Sequence, residues 1–171
     1  MENASKALLM AASVLVGILI LSLIAYLYTI FGDYGSLIQA RLELKKINEF
    51  NVQFTQYESY KDDNGNWQNT CKASDIVSLA NLAKQNNQNY DFGTDSLAEK
   101  EKEGTFYITI DTSAINGERN FETLSTDAYI KFMKSEIGTM QDGTYQVKDY
   151  SCSILIDQYT KRVKKVIFKP V

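Results

Sequence analysis

The stretch Ala7–Gly32, ALLMAASVLVGILILSLIAYLYTIFG, decides the fold: it carries no charged residue and is bracketed by Lys6 and Asp33. About twenty apolar residues at roughly 1.5 Å each already cross a bilayer core, so this run crosses with some tilt or with a turn left over. Tyr26, Tyr28, Phe31 and Tyr34 gather at its far end, where the amphipathic rings of an interfacial belt belong. Together these features predict a membrane helix rather than the buried helix of a soluble domain. A cleaved signal peptide fits less well. The run is longer than a typical h-region, and Tyr26, Leu27, Tyr28 and Thr29 follow its core where a small-x-small cleavage site would stand. The segment is therefore expected to stay with the mature chain.

Working outward, Leu37, Ala40, Leu44, Ile47, Phe50 or Asn51, and Phe54 recur at spacings of three and four, the mark of a helix with one apolar face. Arg41, Glu43, Lys45, Lys46 and Glu49 occupy the other face. No proline intervenes, and Gly32 and Gly35 are the natural place for a kink. The reading is a transmembrane or filament-core segment over 1–34, an amphipathic continuation over 35–58, and a globular head over 59–171. The fold class is α+β: a long N-terminal hydrophobic helix, then a small domain of short helices and an antiparallel sheet.

The chain of 171 residues less its anchor leaves an ordinary single domain, and its net charge of −3 carries no polyanion-binding signature. Basic residues do not run together with aromatics, so nucleic acid is not an expected partner. There is no histidine, which removes Ser/His/Asp and Cys/His catalysis and histidine metal sites together. No carboxylate pair stands out from the solvated background. No enzyme activity, cofactor or metal is expected. Cys71 and Cys152 are too far apart in sequence for a CxxC motif and read as a disulfide, which in an exported domain would stabilise the fold by about 4 to 5 kcal/mol on the chain-entropy account. The alternative is two buried thiols in a domain facing the cytosol.

Asp62-Asp63-Asn64-Gly65-Asn66 resembles a calcium loop only at first sight: the glycine comes two places early and Ala73 stands where the bidentate glutamate should be, so a plain turn is expected. A second helix is expected from a Ser74 cap to Asn86-Asn87, burying Ile76, Val77, Leu79, Ala80, Leu82 and Ala83. Residues 86–103, with Gly93, read as a surface loop or a short frayed helix. Gly104–Asp111 is β-like, with Phe106, Ile108 and Ile110 on one face and Thr105, Tyr107 and Thr109 on the other. Asn116-Gly117 marks a turn. Thr126–Ile137 reads as a helix burying Tyr129, Ile130, Met133 and Ile137, ended by Gly138. Strands are expected over Thr144–Asp157 and Val163–Lys169, joined near Tyr159-Thr160-Lys161, with Pro170 just beyond.

This layout of long apolar helix, linking segment, short antiparallel sheet and late cysteine resembles type IV pilins and pseudopilins. The run Met1–Leu9 together with Ser74–Leu82 is also similar to single-pass proteins of Gram-positive bacteria. The resemblance implies a helix that anchors the unassembled subunit in membrane lipid and then packs among copies of itself in a filament core, with the pilus or secretion machinery as a further partner. The chain differs from that family at its start, where the acidic residue is Glu2 and position five is Ser5 rather than glutamate. The competing expectation is a single-pass protein whose helix merely tethers an outer interaction domain.

Two further expectations concern the helix. Lys6 and the α-amine flank one end of the span and Arg41, Lys45 and Lys46 the other, so the count of basic residues slightly favours an inside C-terminal domain. Glu43 and Glu49 offset those charges, and the cysteine pair and short N-terminus point to a C-terminal domain outside the cell or on a surface filament. Ser5, Leu9, Ser13, Gly17, Leu21, Ala25 and Thr29 follow one another at spacings of four, with Ser13 and Gly17 a small-xxx-small pair that lets backbones approach. Glu2, beside the apolar run, is expected to pair with the α-amine or Lys6 of a neighbouring subunit.

Overall fold

The computed structural model describes residues 2–90, 92, 96–141 and 144–171. The chain forms two compact units, Met1–Lys46 and Ile47–Val171. Helix α1 runs from Glu2 to Thr55 and is assigned as helix through both Gly32 and Gly35, so neither glycine interrupts it. No proline is present to remove a backbone bond, and Leu, Ile, Ala and Met dominate the first half.

The second unit is α+β, as the sequence predicts. The turn at Asp62 joins two very short antiparallel strands, β1 (Tyr60–Lys61) and β2 (Trp67–Gln68). Asp62 accepts from the backbone N–H of Asn64 and Asn66 at 2.9 and 2.8 Å, and Gly65 takes φ +80°, so the carboxylate closes a turn on itself. Helix α2 (Ala73–Asn89) starts earlier and ends later than expected. Its cap is Lys72, whose N–H donates to the Asp75 carboxylate at 2.8 Å, and Ser74 lies inside the helix. Ile76, Leu79, Ala80 and Ala83 form its buried stripe.

After the one-turn helix α3 (Leu97–Lys100), strand β3 spans only Thr109–Asp111. The expected alternation from Gly104 does not hold: Tyr107, Ile108, Thr109 and Ile110 are all buried and Phe106 is exposed. The cause is that β3 joins the sheet by parallel pairing to β7 (Val163–Pro170) and is covered on both faces. Helix α4 (Ser113–Asn116) ends at Gly117, φ +82°, where the turn was expected. A 3-10 turn, Phe121–Thr123, and helix α5 (Thr126–Glu136) follow. Ser125 caps α5 by accepting from the Ala128 N–H, and Tyr129, Phe132 and Glu136 face inward. Ile130 and Ile137, expected in the core, are 40% and 50% exposed. The reason for Ile137 is that the helix has already ended: it opens strand β4 (Ile137–Gln141), which pairs with β5 (Thr144–Val147).

The last strands are β6 (Tyr150–Ile156) and β7, antiparallel, so the long strand expected from Thr144 is two strands with a break before Tyr150. The sheet order is β3-β7-β6. Phe54 from the end of α1, the α2 stripe, Ile108, Ile110, Phe121, Tyr150, Val166 and Phe168 make one buried cluster. Side chains take the place of a fourth strand along the outer edge of β3 and the segment before it. The Asn87 amide both donates to and accepts from the backbone of Ile108, Asn86 donates to the Phe106 carbonyl, and Glu122 accepts from the Ile110 N–H.

Candidate assembly helix and buried polar groups

The residues expected to carry assembly all lie on α1, outward-facing. Glu2 and Lys6 form an i,i+4 ion pair at 3.0 Å within the chain, both exposed, so the carboxylate has a partner before any neighbour arrives. The α-amine expected to share that role lies outside the described residues. The Ser13 hydroxyl donates to the Met10 carbonyl at 2.8 Å, Ser22 to Ile18 at 2.8 Å, Thr29 to Ala25 at 3.1 Å and Ser36 to Asp33 at 2.8 Å. Each polar side chain so placed satisfies itself against its own helix, which is what a dry surrounding demands. A Cβ added at Gly17 meets nothing within 4 Å, so the notch beside Ser13 is open on the isolated chain. Tyr26, Tyr28, Phe31 and Tyr34 are all exposed, in keeping with a belt around the far end of the apolar run. The helix is long and apolar enough to cross a membrane.

Cys71 and Cys152 are both buried and both free thiols, so the disulfide expected from the sequence is not formed. Cys71 makes a backbone bridge with Tyr150, two residues before Cys152, and its thiol also donates to the Tyr57 carbonyl at 3.5 Å. Interaction with Cys152 pulls the Cys71 thiol down, and interaction with Cys71 followed by burial pushes Cys152 up.

The groups the sequence did not single out are buried and polar. Glu122 is 1% exposed; its carboxylate accepts from the Tyr107 hydroxyl at 3.0 Å and from the Ile110 N–H at 2.8 Å, and its carbonyl accepts from Tyr129. Among the described residues no cation forms an ion pair with it, and burial raises its carboxyl above the ordinary range despite those donors. Asp157 is buried in the β6–β7 turn. Burial alone would raise it, but the amides of Thr160, Gly104 and Tyr159 hold its carboxyl down at about 2. Arg162, two residues before Lys164, lays its guanidinium 3.8 Å from the centre of the Phe50 ring and donates to Tyr90 and, at 3.0 Å, to Asn86. Next to it Asn51 of α1 donates to the Lys161 carbonyl at 2.7 Å and accepts from the Val163 N–H at 2.9 Å. Nothing local in the sequence around Arg162 tells that this turn meets two helices.

No protein-family model, curated protein or solved structure matches this chain. Its class rests on its own architecture: a small α+β domain whose chain begins with an apolar helix able to cross a membrane.

Proposed function

We propose that the protein is a structural subunit of a pilus-like extracellular filament, or a pseudopilin of the machine that exports one, assembled through α1. The observation that supports this reading is the surface of that helix: an apolar face along its length, hydroxyls turned back onto their own carbonyls, and an open notch at Gly17 beside Ser13. Such a surface is suited equally to lipid before assembly and to copies of itself afterwards, since close packing supplies the gain once no polar group needs a partner. The C-terminal unit then lies outside the cell.

One observation favours the simpler tether: Glu2 already has Lys6 as partner. An exposed i,i+4 pair contributes only about 0.3 to 0.5 kcal/mol, so a neighbouring subunit can recruit either member at little cost. Electron microscopy of material sheared from the cell surface tests the reading. Gly17→Leu, which has free space in the lone chain, should sharply reduce filament yield while membrane insertion and the fold of the second unit persist; Glu2→Ala should reduce it less. Filaments undiminished in both variants, or none in the wild type, would leave the tether.

A further inference from the structure

The two edges of the three-stranded sheet are treated differently. Beyond β3 the backbone groups are met by Asn87 and Glu122. Beyond β6 the cover stops halfway. Tyr150 exchanges both backbone bonds with Cys71 at 2.8 and 2.9 Å, and the Cys152 carbonyl accepts from the Ser59 N–H at 2.8 Å. These bonds show that Tyr150 and Cys152 turn their backbone groups away from β7. By the alternation of an antiparallel ladder Ile154 and Ile156 do the same, and the Asp157 N–H, which returns to the Arg162 carbonyl at 2.9 Å, confirms the parity at the end of the strand. Among the described residues no strand lies beyond this half of β6. Leu155 and Ile156 are 52% and 51% exposed there. The open edge, Ser153 to Ile156, carries neither a lysine nor a proline; the register to β7 shifts between Leu155 and Ile156, but the additional residue is Lys164 of β7, so the outward groups of β6 keep their alternation.

We infer that this half-edge pairs with the same half-edge of a second copy, antiparallel, across a two-fold axis through Leu155. The geometry is self-complementary. With Leu155 opposite its own counterpart, the outward groups of Ile154 meet those of Ile156 in the partner and the reverse, which forms two hydrogen-bonded pairs around one pair without hydrogen bonds whose side chains touch. Charge is compatible with self-association as well. Leu155 and Ile156 line a recess of about 310 Å³ in which Glu101, Glu103 and Asp157 stand with Arg119, Lys164 and Lys165, three acids and three bases. A recess of one sign would repel its copy; a balanced one does not. A two-fold contact of this kind closes on itself. It makes a pair of subunits and is independent of whether α1 builds a filament.

The test uses the full chain in detergent micelles, with mass by light scattering or sedimentation. The wild type should be a dimer. Leu155→Lys puts like charges on the axis, and Ile156→Pro removes an outward N–H while leaving the ladder to β7 intact. Each should weaken the dimer by about tenfold or more, equivalent to about 1.4 kcal/mol, with the melting of the head little changed. Gly17→Leu should leave this dimer in place. A wild type that is monomeric, or a dimer that persists in both edge variants, overturns the proposal. Leu155→Cys gives a second readout that does not require disruption. Opposed residues without hydrogen bonds lie about 4.5 Å apart at Cα, so copper–phenanthroline should oxidise that variant to a cross-linked dimer, and Ser153→Cys far less. Equal cross-linking at the two positions would contradict the register.

Discussion

Glu122 ties the 3-10 turn to β3 through its buried carboxyl, which accepts from Ile110, and to α5 through its carbonyl, which accepts from Tyr129, and the position of the carboxyl makes a signed prediction about pH. Its folded value is raised by burial, so between the ordinary carboxyl value and the raised one the folded chain keeps a proton that the unfolded chain has released. Its contribution to stability is therefore full at low pH and is lost as pH rises through that window. Asp157 acts with the opposite sign, because its folded value of about 2 lies below the unfolded one and its contribution disappears as pH falls through that range. Glu122→Gln keeps the volume and an acceptor for Ile110 without the charge. The variant should lose the upper part of the pH dependence, which thermal melts followed between mildly acidic and neutral pH would show; an unchanged slope would mean that another group carries it. Neither role was legible in the sequence. Glu122 follows Phe121 in a polar stretch, and only the closure of β3 over it removes it from water. The free thiols are a different kind of miss: a cysteine pair behind an export-type segment reads as a disulfide, and a backbone bridge between Cys71 and Tyr150 does bring their segments together, but both thiols are free. Mapping the purified protein without reductant, after alkylation, distinguishes a disulfide from two free thiols.

The elements that the sequence foretold are those with a strong period, α1, α2 and α5. Their apolar spacings of three and four residues fix the helix without reference to the rest of the chain, but the buried face less well: Leu37 and Leu44, on the expected apolar face of α1, and Ile130, expected in the core from α5, are exposed. Strands were read less well, since β3 is buried on both faces and β7 is central, and the pairing that buries them is long-range. The β6–β7 turn shows how such pairing reaches back to a helix. Arg162 on Phe50, with Asn51 bonded to the backbone of Lys161 and Val163, holds the last turns of α1, which belong to the second unit, against the β6–β7 turn. Arg162→Lys keeps the charge but loses the planar fork and the stacking. Together with Asn51→Ala it should destabilise this junction by about 2 kcal/mol, on the scale of one desolvated cation–π contact and a pair of hydrogen bonds. Hydrogen exchange would locate the effect: amides over residues 50–55 should exchange faster while those of α2 keep their protection. Uniform loss over the whole unit would instead mean that the turn supports the core.

For the molecule as a whole, the division into an apolar helix and an α+β domain was readable from the hydropathy pattern alone, because a run without charge from Ala7 to Gly32 has few other uses. Side assignment relative to a membrane is a matter for experiment on cells: with the wall removed, a membrane-impermeant protease should cut the second unit, and an uncut domain would place it inside. Of the candidate site, the sequence told that the small residues and the aromatics lie along one helix, while the pairing of Glu2 with Lys6 of its own chain was not foreseen. The hydroxyls of Ser13, Ser22 and Thr29 direct their donors to carbonyls one turn back, so over this stretch the rod offers neighbours shape and no free hydroxyl donor. If such rods bundle as proposed, sliding along their axes over that stretch would break no hydrogen bonds between them. A fibre built from them should lengthen under load by slippage in steps of about one helical turn, roughly 5.4 Å, before any helix unwinds. Pulled singly in an optical trap, it should show that stepped yield and recover its length on release, as a sliding cable does and a cross-linked one does not.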